Sequence, residues 1–467
     1  METILGWFKT RPLRFIGGLI VFFSTGLLLF LVLLDLIVGL PNPYLGIITY
    51  MLLPGFLVFG LVLVPIDAWL QRRRASRGEP AYPVIDLCNP NQRRIATFFA
   101  ISSVVILVVM TVVSYKSLEY MDTTAFCGKL CHKVMIPEYT AYERSPHASV
   151  VCTQCHIGPG APWFVRAKLS GIPQIWHYTM RDYPRPIPTP VRALRPSRDT
   201  CENCHSPKAF YGSTLNTKIT YEQDQPNTRV ATSQLMHVGS GGVPGSGIHS
   251  HMVNNIEYLP AVENRTEIAW VRIKRHDGST QEFVNPMYGS KLAALRKKEQ
   301  VRTMDCIDCH NRAAHDFVPF EKLLDDGITR QEIDASLPFI KKQAMDAVGD
   351  ASKAPTMAEQ ATVLAKIRGI SSFYERTYPD IYKARRSDIE KSVKIISTTY
   401  RSAVFPHMKI GPDTYPSWRS HDGCFRCHGT LQAASPKGRD KDIPAGCDLC
   451  HTEPTTDKEL AKAPASH

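Results

Sequence analysis

The stretch Cys306-Ile307-Asp308-Cys309-His310 carries a sequence pattern that recurs through most of this chain and indicates its fold class. Two cysteines separated by two residues and followed directly by a histidine form the attachment signature of c-type haem. The two thiols add to the vinyl groups of the porphyrin, and the adjacent imidazole reaches the iron as an axial ligand. Four other segments repeat the pattern: Cys152, Cys155 and His156; Cys201, Cys204 and His205; Cys424, Cys427 and His428; and Cys447, Cys450 and His451.

A sixth segment differs from this pattern because three residues, not two, separate Cys127 from Cys131 before His132. Zinc ribbons also use cysteine pairs, but they combine two pairs around one metal and need no histidine after each. A disulfide framework does not explain the histidines either. We therefore predict six haem c groups, each attached through a cysteine pair, with the histidine that ends each motif as the proximal iron ligand.

Length and composition agree with a large, folded, haem-rich chain. It has 467 residues, with 13 Cys, 16 His and 44% hydrophobic residues. This apolar content excludes general disorder, and the absence of a Gly or Pro period excludes a collagen-like chain. The formal charge is +12, but the two propionates of each haem would nearly balance it. No basic stretch interleaved with aromatic residues is present, so we predict no nucleic-acid partner.

Three long apolar stretches open the chain and predict a membrane anchor. Phe15–Leu40, Tyr44–Leu70 and Ile95–Tyr115 each exceed the roughly 20 residues that a helix needs to cross a bilayer. Basic residues precede the first stretch and fill the 71–94 loop, which the positive-inside rule places in the cytoplasm with the N-terminus. Residues 117–467 then lie outside. We expect an uncleaved anchor in a bacterial inner membrane and a periplasmic haem domain.

Low-spin haems that carry electrons need a second strong ligand, supplied by histidine or methionine. Histidines outside the motifs are numerous enough to fill this position, and six haems that need partners favour this role over that of ordinary surface or core residues. The predicted distal ligands are Met135, His147, His249, His251, His315, His407 and His421. A thioether from Met135, just after the first motif, would raise the potential of the first haem, which suits direct reduction by a quinol.

The order of these features resembles the NapC/NirT/NrfH family of membrane-anchored multihaem quinol dehydrogenases. The likeness covers roughly residues 115–210 and 300–320, and includes Met135, the Ser145-Pro146-His147 segment and His315 after the fourth motif. It implies that the haem nearest the membrane takes electrons from menaquinol and passes them along a haem chain. It also implies that Met135 ligates the first haem, and that His147 and His315 ligate other haems.

The same resemblance suggests where the quinol binds. A family lysine near the quinol site follows the second motif by about a dozen residues, and Lys168 stands there. His177 is close by and is a candidate proton acceptor or distal ligand, while the family's nearby acid has no clear counterpart. The family usually has one anchor helix and four haems. The additional helices, an insert before the fourth motif and two C-terminal motifs therefore leave the electron acceptor open.

We predict an α-helical membrane anchor of three transmembrane helices, followed by a mostly irregular and α-helical multihaem cytochrome c domain with a small β insert. Strand patterns at 268–274 and 281–284 around a turn predict a hairpin, and apolar spacing predicts helices at 328–333 and 388–396. The predicted divisions are 1–117 (anchor; helices 15–40, 44–70 and 95–115), 118–215 (haems one to three), 216–300 (β insert), 301–320 (haem four), 321–400 (helical) and 401–467 (C-terminal dihaem segment and tail).

Three functions fit these features. The first is a menaquinol dehydrogenase that passes electrons to a periplasmic or extracellular cytochrome or reductase. The second is a non-catalytic haem-wire subunit of a larger respiratory or photosynthetic complex, for which a three-helix anchor offers a docking surface. The third is a terminal reductase of a nitrogen or sulfur oxyanion. It is disfavoured because it needs an open iron position, whereas all six motifs end in histidine and spare ligands are plentiful.

Overall fold

A computed structural model of the chain describes residues 12–38, 49, 52–75, 88, 90–130, 132–158, 161–189, 196–206, 209–239, 247–275, 278–350, 353–434 and 442–457. The chain separates into two compact units, Met1–Leu130 and Cys131–His467. The described part is mainly helical, and its short strands form two sheets.

The first unit contains α1 (Pro12–Val38), α2 (Leu53–Ala75) and α3 (Pro90–Met121), followed by a π-helical turn over Phe126–Leu130. Among the described residues, one segment of α2, Leu53–Leu70, is long and apolar enough to cross a membrane, and the apolar part of α1, Ile16–Val32, is slightly shorter. The predicted start of the second helix, at Tyr44, lies outside the described residues. Helix α3 extends beyond the predicted end at Tyr115, so it leads almost directly into the first haem motif.

Helices α1 and α2 approach closely because two glycines meet at their crossing. A Cβ atom built on Gly60 would lie 2.9 Å from the carbonyl oxygen of Gly17, and one built on Gly17 would lie 2.9 Å from the oxygen of Gly60. Small residues at such crossings allow membrane helices to pack backbone against backbone. Elsewhere in the unit, Leu28, Leu31 and Leu53 form a buried cluster.

We expect Gly60→Ala to destabilise this helical unit by about 1–3 kcal/mol, because the added methyl group would press on the backbone of α1. Gly55→Ala on the same helix is the control, since no atom lies within 4 Å of a Cβ at that position. Unfolding in mixed micelles of rising SDS content, followed by circular dichroism, compares the two variants. Equal stability would contradict the close approach of α1 and α2.

The second unit combines short helices, several of which carry haem motifs, with two small sheets. Its helices are α4 (His132–Glu143), α5 (Cys152–His156), α6 (Ala161–Met180), α7 (Ser197–Cys201), α8 (Ser250–Val253), α9 (Leu292–Lys298), α10 (Phe320–Thr329), α11 (Ile340–Val348), α12 (Met357–Arg368), α13 (Ile370–Thr377), α14 (Pro379–Ala403) and α15 (His421–Cys424). Its strands are β1 (Thr214–Tyr221), β2 (Arg229–Met236), β3 (Asn255–Pro260), β4 (Ile268–Lys274), β5 (Thr280–Val284), β6 (Arg302–Thr303), β7 (Gln432–Ala433) and β8 (Thr455–Thr456).

Both sheets join the region between the third and fourth motifs to the C-terminal segment. Their strand orders are β1-β2-β8 and β6-β3-β4-β5-β7. Strands β4 and β5 pair antiparallel, from Trp270 opposite Val284 to Lys274 opposite Thr280. This confirms the predicted hairpin, although residues 276 and 277 of its turn lie outside the described residues. Because β7 follows the fifth motif and β8 follows the sixth, the sheets attach both C-terminal motifs to the insert.

Helices α10 to α14 enclose the main apolar core of the second unit. Leu337, Ile340, Ile367 and Ile396 are fully buried in this core. The helix predicted at 388–396 is confirmed and lies within α14.

The helix predicted at 328–333 is wrong beyond Thr329. Helix α10 ends at Thr329, and Gln331 takes a left-handed conformation with φ 59°. Ile328 and Ile333 have the spacing that suggested a helix, but they enter the same core from the two sides of a turn.

Candidate haem-binding sites

Each strict motif folds as one helical turn, and this geometry brings its three functional side chains to one face. In four motifs the histidine N–H donates to the carbonyl oxygen of the first cysteine, at 2.8 Å for His205 and His310, 3.0 Å for His451 and 3.1 Å for His428. In the remaining strict motif, α5 runs from the first cysteine to His156. Residues at positions i, i+3 and i+4 of a helix share a face. Both thiols and the imidazole of each motif can therefore reach one porphyrin.

Five predicted distal histidines lie opposite a motif histidine, at nearly constant separation. The ring centroids are 6.0 Å apart for His147 and His205, 6.1 Å for His315 and His156, 6.3 Å for His249 and His310, 5.8 Å for His251 and His428, and 6.0 Å for His421 and His451. Metal–imidazole bonds are about 2 Å long, so two rings that share one metal ion have centroids about 6 Å apart. The spacing fits one iron between the two rings of each pair.

The backbone holds the outer nitrogens of most of these rings. Nδ1 lies 2.6–3.1 Å from a carbonyl oxygen in His147, His249, His251, His315, His428 and His451. A carbonyl oxygen can only accept, so Nδ1 donates and Nε2 keeps its lone pair for a metal. Burial lowers the pKa of His315 to about 4 and also lowers the pKa of His251. Both rings are therefore neutral, as a metal ligand must be.

The remaining predicted iron ligands are placed differently. His407 is exposed in a short 3₁₀ turn, and no described motif histidine lies against its ring. Met135 is partly buried on α4 and packs against a cluster that contains Phe317. Cys127 lies in the π-helical turn, whereas Cys131 and the side chain of His132 lie outside the described residues. The ligands of the first haem therefore stay a prediction.

Helix α6 carries both predicted quinol-site residues, Lys168 and His177. Nδ1 of His177 donates to Oδ1 of Asp182 over 2.9 Å. The sequence reasoning missed this carboxylate, although an acid just beyond the helix end was the available signal. Positions 168 and 177 are half a turn out of phase on a helix, so they belong to opposite faces. The side chain of Lys168 lies outside the described residues.

Contacts link the second, third and fourth motifs in the order of the sequence. His315, which faces the second-motif histidine His156, donates to the carbonyl of Glu138 on α4, just after the first motif. Helix α5 of the second motif contacts α7 of the third. Helix α7, which ends at Cys201, contacts the turn over Cys306–Asp308, and the backbone N–H of Ser197 donates to Oδ2 of Asp305 over 3.0 Å, which brings the third motif against the fourth.

The last two motifs continue this order. Arg426, between the cysteines of the fifth motif, donates to the carbonyl oxygen of Asp308, between the cysteines of the fourth. His421, three residues before the fifth motif, faces His451 of the sixth. His428 donates to the carbonyl of Pro444, just before the sixth motif. Each motif from the second to the fifth therefore contacts the next one along the chain.

Comparison with known proteins agrees with these features. Residues 89–186 match the family model described as NapC/NirT cytochrome c family, N-terminal region. The cytochrome c-type protein ImcH of Geobacter sulfurreducens is 38% identical over 456 residues, covering 94% of this chain and 87% of that protein. No solved structure matches the chain. With this similarity along nearly its whole length, the chain belongs to the NapC/NirT family of membrane-anchored, electron-transferring c-type cytochromes.

Proposed function

We propose that this cytochrome is a hexahaem quinol dehydrogenase of the bacterial inner membrane, which oxidises menaquinol beside its first motif and delivers electrons to a periplasmic acceptor. The five facing imidazole pairs carry this proposal. When bound at these sites, haem c would act as a reversible one-electron carrier. Because the chain's own imidazoles would fill both axial positions at five sites, little room is left for an oxyanion, and a terminal reductase is the least favoured function.

The exposed face of α6 supports quinol entry at this helix. Leu169, Ile172, Trp176 and Met180 recur at helical spacing and are 52–62% exposed. Adjacent exposed apolar side chains mark an interaction surface. On a membrane-anchored protein, an apolar helix face of this kind suits the lipid interface, from which a quinol would arrive.

The His177–Asp182 pair offers a proton acceptor on the same helix. Menaquinol loses two electrons and two protons, so its oxidation needs a base beside the electron acceptor. Asp182 holds the proton on Nδ1 of His177, which leaves Nε2 available to accept a proton from a quinol hydroxyl. Lys168, which the family resemblance implies at the quinol site, is a second candidate to bind a quinol oxygen. Substitutions of His177 and of Lys168 therefore test two different parts of the proposed quinol site.

Anaerobic addition of menaquinol to the detergent-purified protein, followed at the c-haem absorption bands, tests the proposal. We expect rapid reduction of the wild type. Lys168→Ala and Met135→Ala should slow reduction by about tenfold or more, and so should His177→Gln if that residue is the base. Ser170→Ala on the same helix is the control and should keep the wild-type rate.

An absence of reduction, despite a full haem content, would contradict quinol oxidation by this chain. Electrons would then enter through another subunit, and the chain would be a haem wire within a larger complex. If Lys168→Ala slows reduction while His177→Gln does not, the quinol lies on the lysine face of α6 and the proton acceptor is a different group.

A further inference from the structure

We propose that the segment His249-Ser250-His251 binds two haems at once and forms the electron junction between the first four haem sites and the C-terminal dihaem segment. His249 would be the distal ligand at the fourth motif, and His251 the distal ligand at the fifth. This inference rests on the electron-transfer function proposed above, but it concerns ligands that the four-haem pattern of the family does not include.

The two imidazoles face different motifs. The ring of His249 lies 6.3 Å from that of His310 with their planes 7° apart, and the ring of His251 lies 5.8 Å from that of His428 at 81°. Helix α8 begins at Ser250, with His249 as its N-cap in helical backbone conformation. Residues two positions apart on a helix point to nearly opposite sides. A single turn can therefore serve two irons.

Short hydrogen bonds fix both rings in this orientation. Nδ1 of His249 donates to the Val238 carbonyl over 2.7 Å, and Nδ1 of His251 donates to the Ile248 carbonyl over 2.6 Å. Arg198, beside the third motif, donates to the carbonyl of Met252 over 2.9 Å and so holds α8 from outside. In both rings the Nδ1 atom is thereby occupied by a backbone carbonyl, and each Nε2 is left to bind one iron.

The fourth and fifth motifs are also joined directly, through the residues between their cysteines. Arg426 donates to the carbonyl oxygens of Asp308 and of Arg265, and its guanidinium lies 3.9 Å from the centre of the Trp418 ring. The carboxylate of Asp308 is buried and accepts a hydrogen bond of 2.6 Å from the Tyr258 hydroxyl. These bonds fix the two attachment turns relative to each other, so the distance between their irons is set by the fold.

Because their attachment turns are fixed relative to each other, the fourth and fifth haem sites are suited to direct electron exchange. With haem c bound at both sites, transfer of one electron would oxidise the fourth site from ferrous to ferric and reduce the fifth from ferric to ferrous. His249 and His251 would stay ligated in both states, so no proton, oxidant or other reactant would be needed. The histidine turn and the Arg426 contact would thus hold the two sites together through the redox cycle.

Electron paramagnetic resonance of the oxidised, full-length holoprotein tests the ligand assignment independently of quinol. We expect His251→Gly and His249→Gly each to convert one low-spin haem to high spin without loss of haem content, because each opens one axial position. Added imidazole should restore the low-spin signal. His237→Gln, whose ring bonds to Ser213 and faces no described motif histidine, and Ser250→Ala should leave the spectrum unchanged.

An unchanged low-spin spectrum in His251→Gly would overturn the bridge, whatever the protein does with menaquinol. If the glycine variant fails to assemble, His251→Met replaces it: the thioether should raise the potential of one haem in a redox titration, and unchanged potentials would also overturn the bridge. Failure of the proposed function is recognised separately. The wild type would then stay oxidised with menaquinol, although the His251→Gly spectrum still changes.

Discussion

We expect the Cys306→Ala/Cys309→Ala double variant to carry five haems per chain instead of the six that we propose for the wild type, and menaquinol to reduce only three of the five rapidly. The fourth motif contacts the third through the hydrogen bond from Ser197 to Asp305, and the fifth through Arg426. Because electron transfer weakens steeply with distance, the removal of the middle carrier isolates the last two. The pyridine haemochrome assay measures the haem content, and stopped-flow absorbance measures how many haems menaquinol reduces rapidly.

The matched control is Cys447→Ala/Cys450→Ala, which removes the carrier at the end of the series. It should also contain five haems, but menaquinol should reduce all five at nearly the wild-type rate. If both double variants lose the same fraction of rapid reduction, the sites do not form the series inferred from their contacts. Full rapid reduction of the fourth-motif variant would contradict the series as well.

Asp325→Ala should destabilise the helical part of the second unit by about 3–5 kcal/mol, because it leaves a buried ammonium group without its closest carboxylate. The side chain of Lys341 is only 2% exposed, and its Nζ lies 2.8 Å from Oδ1 of Asp325, itself 4% exposed. The same nitrogen donates to the carbonyl of Tyr221 over 2.5 Å. Urea unfolding in detergent, followed by circular dichroism, measures the loss.

A neighbouring acid provides the comparison. Glu321 lies 3.1 Å from the same ammonium group, but its side chain is 52% exposed. Solvent screens such a contact, so Glu321→Ala should cost no more than about 1 kcal/mol. The joint change Lys341→Met with Asp325→Leu removes both buried charges and should restore most of the stability. A similar loss in Asp325→Ala and Glu321→Ala would contradict the buried pair.

These stability predictions concern a part of the chain that is built differently from the haem region. Between α10 and α14, side chains such as Leu337 and Ile367 form a conventional apolar core. The strict motifs, by contrast, are single helical turns. We therefore expect the motif region to depend on haem attachment and axial ligation for its order, whereas the helical part depends on packing.

Some misjudged elements show why local patterns were insufficient. The apolar residues Ile328 and Ile333 suggested a helix over 328–333, yet the chain turns at Gln331 and both side chains enter one core. His407 was as plausible a distal ligand as His421 from the sequence, but only His421 lies against a motif histidine. Asp182 accepts a hydrogen bond from His177. The sequence did not predict this bond, because spacing alone does not show which side chains turn toward each other beyond a helix end.

The sequence by itself determined the covalent chemistry of this protein. The thiols and the proximal imidazole of each strict motif lie within five consecutive residues, and one helical turn aligns them without help from the rest of the fold. Only the tertiary structure decided which histidine faces each strict motif. His251 and His428 are far apart in the sequence, yet their rings lie 5.8 Å apart. Such a pairing depends on how sheets, turns and the Arg426 contact assemble, and no local periodicity encodes it.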